Sequence, residues 1–249
     1  MKRIFAVWMC AWALFAAASG SQAQTMKPAK PAAAAPKVAY YFDPMVLDLP
    51  DLIPNPPTVD STANQAELTE LHQIEGARTP AQVAAAKADE DEEDMFAYKN
   101  VLGAAFNPDA LPITAELGVH VKNEQSVAGA ALKTVFARPR PYQTDKTLHP
   151  ACALTEAANS YPSGHALTGY LEGLTLAEIV PEKRTEILAR ADDYAHNRLV
   201  CGVHYPSDIE ASRRVAYMVF GYMMASPRFQ RDLAAAKAET HTKLASATK

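Results

Sequence analysis

The sequence predicts an all-α fold, a single-domain helical bundle. Three observations point there. Apolar residues recur at spacings of three, four and seven, helix-start signals stand before several of these runs, and sustained alternation and Asn-Gly or Asp-Gly hairpin turns are missing.

The chain begins with Lys2 and Arg3, continues through the apolar stretch Ile4 to Ala18, and sets small residues at Ser21-Gln22-Ala23. This is the pattern of an export leader cut after Ala23, so residues 1–23 read as a signal peptide. The apolar run falls short of the ~20 residues that span a bilayer, and no later segment is long and apolar enough, so the mature chain is expected to be periplasmic or secreted. Residues 24–60 form an Ala/Pro-rich leader and then, from Tyr40 to Pro57, a proline-broken apolar segment expected to lie extended across the domain. Residues 61–249 are expected to form one helical domain with a substantial core. The whole chain carries a net charge of −4, and losing Lys2 and Arg3 makes it more acidic. A mildly acidic protein has no electrostatic footprint for nucleic acid. A phosphate-bearing ligand must therefore be held by local cations.

Thr79 can cap a helix with Pro80 at its first position. The six acids Asp89 to Asp94 would point all round a helix, which reads as a solvated face rather than a metal site. Leu117, Val121, Ala128, Leu132 and Val135 mark an amphipathic helix ended by Pro139 and Pro141. A third helix is expected from Ser163 to Ile179, with Leu167, Leu171 and Leu174 inward. After Pro181 a fourth carries Ile187, Leu188, Ala191 and Tyr194 and stops near Gly202. Ser207 can cap a fifth, from Asp208 to Ala225.

Three stretches concentrate groups suited to phosphate. In Lys133 to Pro141, Lys133 and Arg140 are seven residues apart and would fall within roughly 20° on one helix, with Arg138 off that line. Tyr161-Pro162-Ser163-Gly164-His165 is a turn opening a helix, whose free N–H groups make an anion site beside His165. In Asn197 to Asp208, Arg198 would end one helix, His204 would lie in the loop, and Asp208 would open the next. Asp208 could then accept the N–H of one His204 ring nitrogen and leave the other free to attack. Cys152 and Cys201 remain after leader removal, and an oxidising compartment favours a disulfide between them.

Lys133-x6-Arg140-Pro141, Pro162-Ser163-Gly164-His165 and Arg198-x5-His204-x3-Asp208 together resemble the signature of the type 2 phosphatidic acid phosphatase superfamily. The proline-rich Leu52 to Pro57 segment, the cysteine pair and the format without membrane spans look most like its bacterial class A non-specific acid phosphatases. The resemblance implies a metal-independent phosphomonoesterase of broad range, with no cofactor. His204 would become phosphohistidine, Asp208 would orient it, and His165 would protonate the leaving alcohol and then activate water, which favours acid pH. Lys133, Arg140, Arg198, Ser163 and the Gly164 N–H would hold the phosphate oxygens. Where the family usually has Ser, this chain has Asn197, which predicts altered affinity rather than lost activity. Relatives of this kind commonly self-associate, so a homo-oligomer acting on small phosphomonoesters is expected. Tyr142 and Tyr161 would line the leaving-group side or the core. His72, His120, His149, His196 and His241 have no motif role. A haloperoxidase holding vanadate on His204, a membrane lipid phosphatase and a non-catalytic phosphate binder are the competing readings.

Overall fold

The computed structural model describes residues 37–247, so the expected signal peptide and most of the Ala/Pro-rich leader lie outside it. Every regular element among the described residues is helical, as expected. Seven helices of 12 or more residues carry the architecture: α1 (Thr62–Ala77), α2 (Pro80–Asp91), α3 (Pro112–Phe136), α4 (Gly164–Ile179), α5 (Arg184–Val200), α6 (Pro206–Ala225) and α7 (Pro227–Ala247). No helix among the described residues is long and apolar enough to cross a membrane.

Helix α4 is the axis. Its sequence is apolar nearly all round, so it must be surrounded, and α3, α5, α6 and α7 pack about it. Two of its glycines set the approach of α5. A Cβ at Gly169 would stand 2.7 Å from Tyr194 Cδ1, and one at Gly173 would stand 3.0 Å from Ala191 Cβ. Larger residues there would push α5, and with it the loop that carries His204, away from the axis.

The proline-broken N-terminal segment packs on the bundle. Tyr41, Phe42, Leu47, Leu49 and Ile53 are buried in the main core. The backbone N–H groups of Tyr40 and Tyr41 donate to the buried Glu124 carboxylate at 2.5 and 3.2 Å. Tyr161 donates its hydroxyl to Pro54 O and stacks edge-on against Phe136, so it is a core residue.

Several boundaries follow the sequence closely. Thr79 caps α2 with Gln82 returning the bond, Pro80 is its first residue, and Ser163 caps α4. Others differ. Val135 is exposed rather than on the buried stripe of α3. Helix α6 begins at Pro206, and Ser207 lies inside it with its N–H given to Glu67. Helices α1 and α7 had no counterpart in the sequence reading.

Candidate active site

Helix α3 does not reach Arg140. It stops at Phe136, and Ala137 turns left-handed at φ 40°. Pro139 disfavours helical backbone at Arg138 and lacks the N–H that a further turn would need. The shared helix face expected for Lys133 and Arg140 is therefore absent. Arg140 instead precedes a single turn, Pro141–Thr144. The two cations still meet, because Asn159 holds both: Lys133 Nζ donates to Asn159 O, and Arg140 Nε donates to Asn159 Oδ1 at 3.0 Å.

His204 lies in the loop between α5 and α6 and is 1% exposed. Its Nδ1 is 3.2 Å from Asp208 Oδ2, and its Nε2 is 3.0 Å from Arg140 Nη1. A guanidinium only donates and a carboxylate only accepts. The ring is thus fixed with the proton on Nδ1 and the lone pair on Nε2. Burial first, and then the charges of Arg140, Lys133, Arg198 and His165, push His204 far below the ordinary imidazole range. It is a neutral imidazole facing cations.

Asp208 is fully buried, and its two oxygens have separate duties. Oδ2 also accepts from the Tyr205 N–H at 2.9 Å and from Ser160 Oγ at 2.5 Å. Oδ1 accepts from Arg138 Nη1 at 2.6 Å. Arg138 is 4% exposed, pairs with Glu67 at 2.7 Å, and lies 3.7 Å over the Tyr205 ring. The arginine that spacing set aside is the clamp behind Asp208.

At the N-terminus of α4, Ser163 is buried and its Oγ accepts the Ala166 N–H at 3.4 Å. Gly164 lies beside the Lys133 stem, which a Cβ would approach to 3.9 Å. His165 follows, with its Nε2 2.6 Å from Glu93 Oε1 and 3.2 Å from Glu90 O. The acid run is not a solvated face. Asp89, 5% exposed, forks to Arg190 and accepts from Asn197 Nδ2 at 2.7 Å. Glu90 accepts from Arg198 at 3.2 Å. The helix ends at Asp91, so the acids beyond it do not continue round a wheel: Glu93 turns back to His165, while Glu92 pairs with Lys99 and Asp94 accepts the Phe96 N–H. Asn197 is accordingly tied to Asp89, not aimed at the cations.

Lys133, Arg140 and Arg198 face His204 closely enough that all three depress its protonation. Arg198 is 2% exposed and its Nε has no hydrogen-bond partner among the described residues. Burial, reinforced by Arg140 and opposed by Asp208, brings Lys133 down to about 7. Cys152 and Cys201 form the expected disulfide, which ties the end of α5 to the 145–163 loop. Beside it Ala151 N–H donates to Cys201 O at 2.9 Å. The other histidines whose bonds are described lie at the surface or in packing: exposed His72 pairs with Asp145 and exposed His149 with Glu75, His241 bonds Ile179 O, and His120 stacks on Tyr40.

Residues 120–232, which hold Lys133, Arg138, Arg140, Arg198, His165 and His204, match the family model of the PAP2 superfamily. Over this stretch, which is under half of its length, the chain is similar to the PAP2 superfamily. It is 33% identical over 153 residues to a non-specific acid phosphatase of Salmonella typhimurium, covering 59% of this chain and 60% of that protein. The match thus spans under two thirds of that relative. A non-specific acid phosphatase of Providencia stuartii is 28% identical over 253 residues, 96% of this chain and 98% of the relative. A solved transmembrane PAP2-type phosphatidylglycerolphosphate phosphatase of Bacillus subtilis is similar with a TM-score of 0.47 at 17% identity, over 71% of this chain and 89% of that one.

Three residues of this site are not marked by the sequence motifs: Arg138, Asn159 and Glu93. Arg138 carried a signal, since a third cation beside two prolines is unusual on an exposed helix end. Asn159 acts partly through its backbone carbonyl, which leaves no mark in sequence. Glu93 was hidden within a run of six acids. Tyr142, half-buried, donates to Thr155 O at 2.9 Å and braces the loop.

Proposed function

We propose that this chain is an acid phosphatase of the PAP2 superfamily that hydrolyses phosphate monoesters through a phosphohistidine on His204. The observation that carries the reading is the state of that ring. Nε2 is a neutral lone pair, its tautomer held by Asp208, in a buried pocket with Lys133, Arg140 and Arg198. Phosphoryl transfer asks mainly for positioning and charge stabilisation, which fixed cations supply. The unpartnered Arg198 Nε is a further donor waiting for an acceptor.

In the first step a phosphate oxygen replaces His204 as the acceptor for Arg140, and Nε2 attacks phosphorus. The P–O bond to the alcohol breaks as His165 gives its proton to the leaving oxygen. In the second step His165 takes a proton from water as the new O–P bond forms, and the P–N bond breaks to release inorganic phosphate. The Ser163 cap keeps the α4 N-terminus, with the Gly164 N–H, in register with the phosphate oxygens. The acid phosphatase relatives support a broad range of small esters, and the leader reading supports export.

Rapid quench with radiolabelled substrate, kept alkaline and run with EDTA present, tests this. His204→Ala is expected to trap no label with any substrate. His165→Ala is expected to lose about 10²–10⁴-fold on alkyl phosphates but far less on the first step with p-nitrophenyl phosphate, whose leaving group needs no proton. Label on His204→Ala and none on His165→Ala reverses the assignment, and EDTA-abolished turnover refutes the metal-free mechanism.

A further inference from the structure

His165 has a carboxylate partner of its own. Glu93 Oε1 lies 2.6 Å from His165 Nε2, and the other Glu93 oxygen, Oε2, lies 3.0 Å from Lys122 Nζ on α3. The Glu90 carbonyl, 3.2 Å away, is a second acceptor at the same ring nitrogen. Two acceptors at Nε2 require a proton there, so Nδ1 is left for proton transfer. It makes no hydrogen bond among the described residues. His165 and Glu93 also line one wall of a cleft of about 590 Å³, together with Lys122, Met95 and Phe96. The cleft offers room for a leaving group next to the histidine that must protonate it.

We propose that Glu93, braced by Lys122, is a positioning residue that fixes His165 with Nε2–H on the carboxylate and presents Nδ1 as the acid and base of the two steps. This rests on the phosphatase reading above. The proton on Nδ1 goes to the leaving oxygen as the P–O bond breaks, and Nδ1 recovers a proton from water as the P–N bond to His204 breaks. The other proton stays on Nε2, donated to the Glu93 carboxylate throughout. The site then holds two carboxylate–histidine pairs of opposite exposure. His204 and Asp208 are 1% and 0% exposed, whereas His165 and Glu93 are 21% and 36% exposed. A nucleophile profits from a dry, neutral setting, while an acid that also activates water must reach solvent. The hydrogen bond from His165 is the first cause that brings the Glu93 carboxyl down to about 2, so the acceptor remains ionised across the acidic range.

The experiment uses the full chain, with Glu93→Ala, Glu93→Gln, His165→Ala and the double variant Glu93→Ala/His165→Ala. Each is assayed on an alkyl phosphate and on p-nitrophenyl phosphate, with sulfate affinity as the measure of an intact cation pocket. Glu93→Ala is expected to lower kcat on the alkyl ester about 10–100-fold, by analogy with carboxylates that orient metal-ligating histidines. It is expected to change first-step labelling by p-nitrophenyl phosphate and sulfate binding by less than about threefold, far below the ~10²–10⁴-fold that general acid–base catalysis supplies. Glu93→Gln, whose amide oxygen can still accept from Nε2–H, is expected to recover part of the loss. In the His165→Ala background, removing Glu93 is expected to have no further effect. Equal losses on both esters, a loss of sulfate binding, or an undiminished effect without His165 would overturn the role of Glu93. Wild-type protein that turns over without a phosphoenzyme would instead overturn the reading beneath it, so the two failures are separable.

Discussion

Lys133 makes anion binding depend on pH in a way that can be calculated. Burial and the neighbouring Arg140 bring its ammonium to about 7, against 10.5 for a free lysine. It is therefore about nine-tenths charged at pH 6 and about a tenth charged at pH 8. Sulfate is the right probe, because it stays a dianion across this range while phosphate itself titrates. If sulfate binds only the charged form, its affinity is nearly flat below pH 7 and falls about tenfold per unit above it, or about 90-fold from pH 6 to pH 9. Calorimetry in two buffers of different ionisation enthalpy measures both the affinity and the proton taken up, which is expected to approach one near pH 8. Lys133→Arg, charged throughout, is expected to bind tightly with no slope, and Lys133→Met weakly with no slope. A wild-type affinity that does not change from pH 6 to pH 9, or a Lys133→Arg protein with the wild-type slope, refutes the reasoning. The same group acts on stability with a definite sign. Its folded value lies below its unfolded one, so its penalty on the empty protein is full below pH 7 and fades as pH rises toward 10.5. Sulfate should raise Tm most on the acid side.

Arg138→Leu removes the counter-ion of two carboxylates, Glu67 and the fully buried Asp208. We expect a loss of about 3–5 kcal/mol in urea unfolding with a fall in kcat, and a stability within 1 kcal/mol of wild type (about a fivefold change in the folding constant) would contradict the clamp. The Cys152–Cys201 bridge closes a loop with a separation of 49 residues. Replacing both cysteines by serine is expected to cost about 4 kcal/mol, and the unreduced mature chain should show no alkylatable thiol by mass spectrometry.

The parts of the site that are local in sequence were legible. Ser163 and Gly164 open α4, and His204 and Asp208 are four residues apart across a loop and a first helical turn, so motif spacing almost dictates their geometry. The parts that depend on tertiary placement were not. Lys133 and Arg140 meet through Asn159 rather than along a helix, because the chain leaves α3 before reaching Pro139. The acid run was misjudged because a helical wheel assumes that the helix continues, and α2 ends at Asp91. Helix α1 buries only Asn64, Leu68 and Leu71, too thin a stripe to stand out in sequence. In α7 the buried set is Phe229, Leu233, Ala236 and Thr240. That spacing is helical, but alanine and threonine dilute its apolar signal.

The partners of each cation separate those that hold the fold together from those that await a ligand. Arg190 is forked onto Asp89, and Arg138 is shared between Glu67 and Asp208. Their charge is already matched by carboxylates, and they have little left for an anion. Among the described residues, Lys133 and Arg140 pair with no carboxylate. Their hydrogen bonds go to neutral acceptors: Asn159 O and Oδ1, Val203 O, and His204 Nε2. Neutral acceptors meet the geometric needs of a buried cation without cancelling its charge, so the pocket stays positive where it stays dry. Arg198 stands between these cases, with one arm on Glu90 and its Nε unpartnered. The uncompensated charge is thus gathered around Nε2 of His204, where a phosphate dianion would arrive. The depressed protonation of Lys133 is the measurable cost of keeping that charge unmatched until it does.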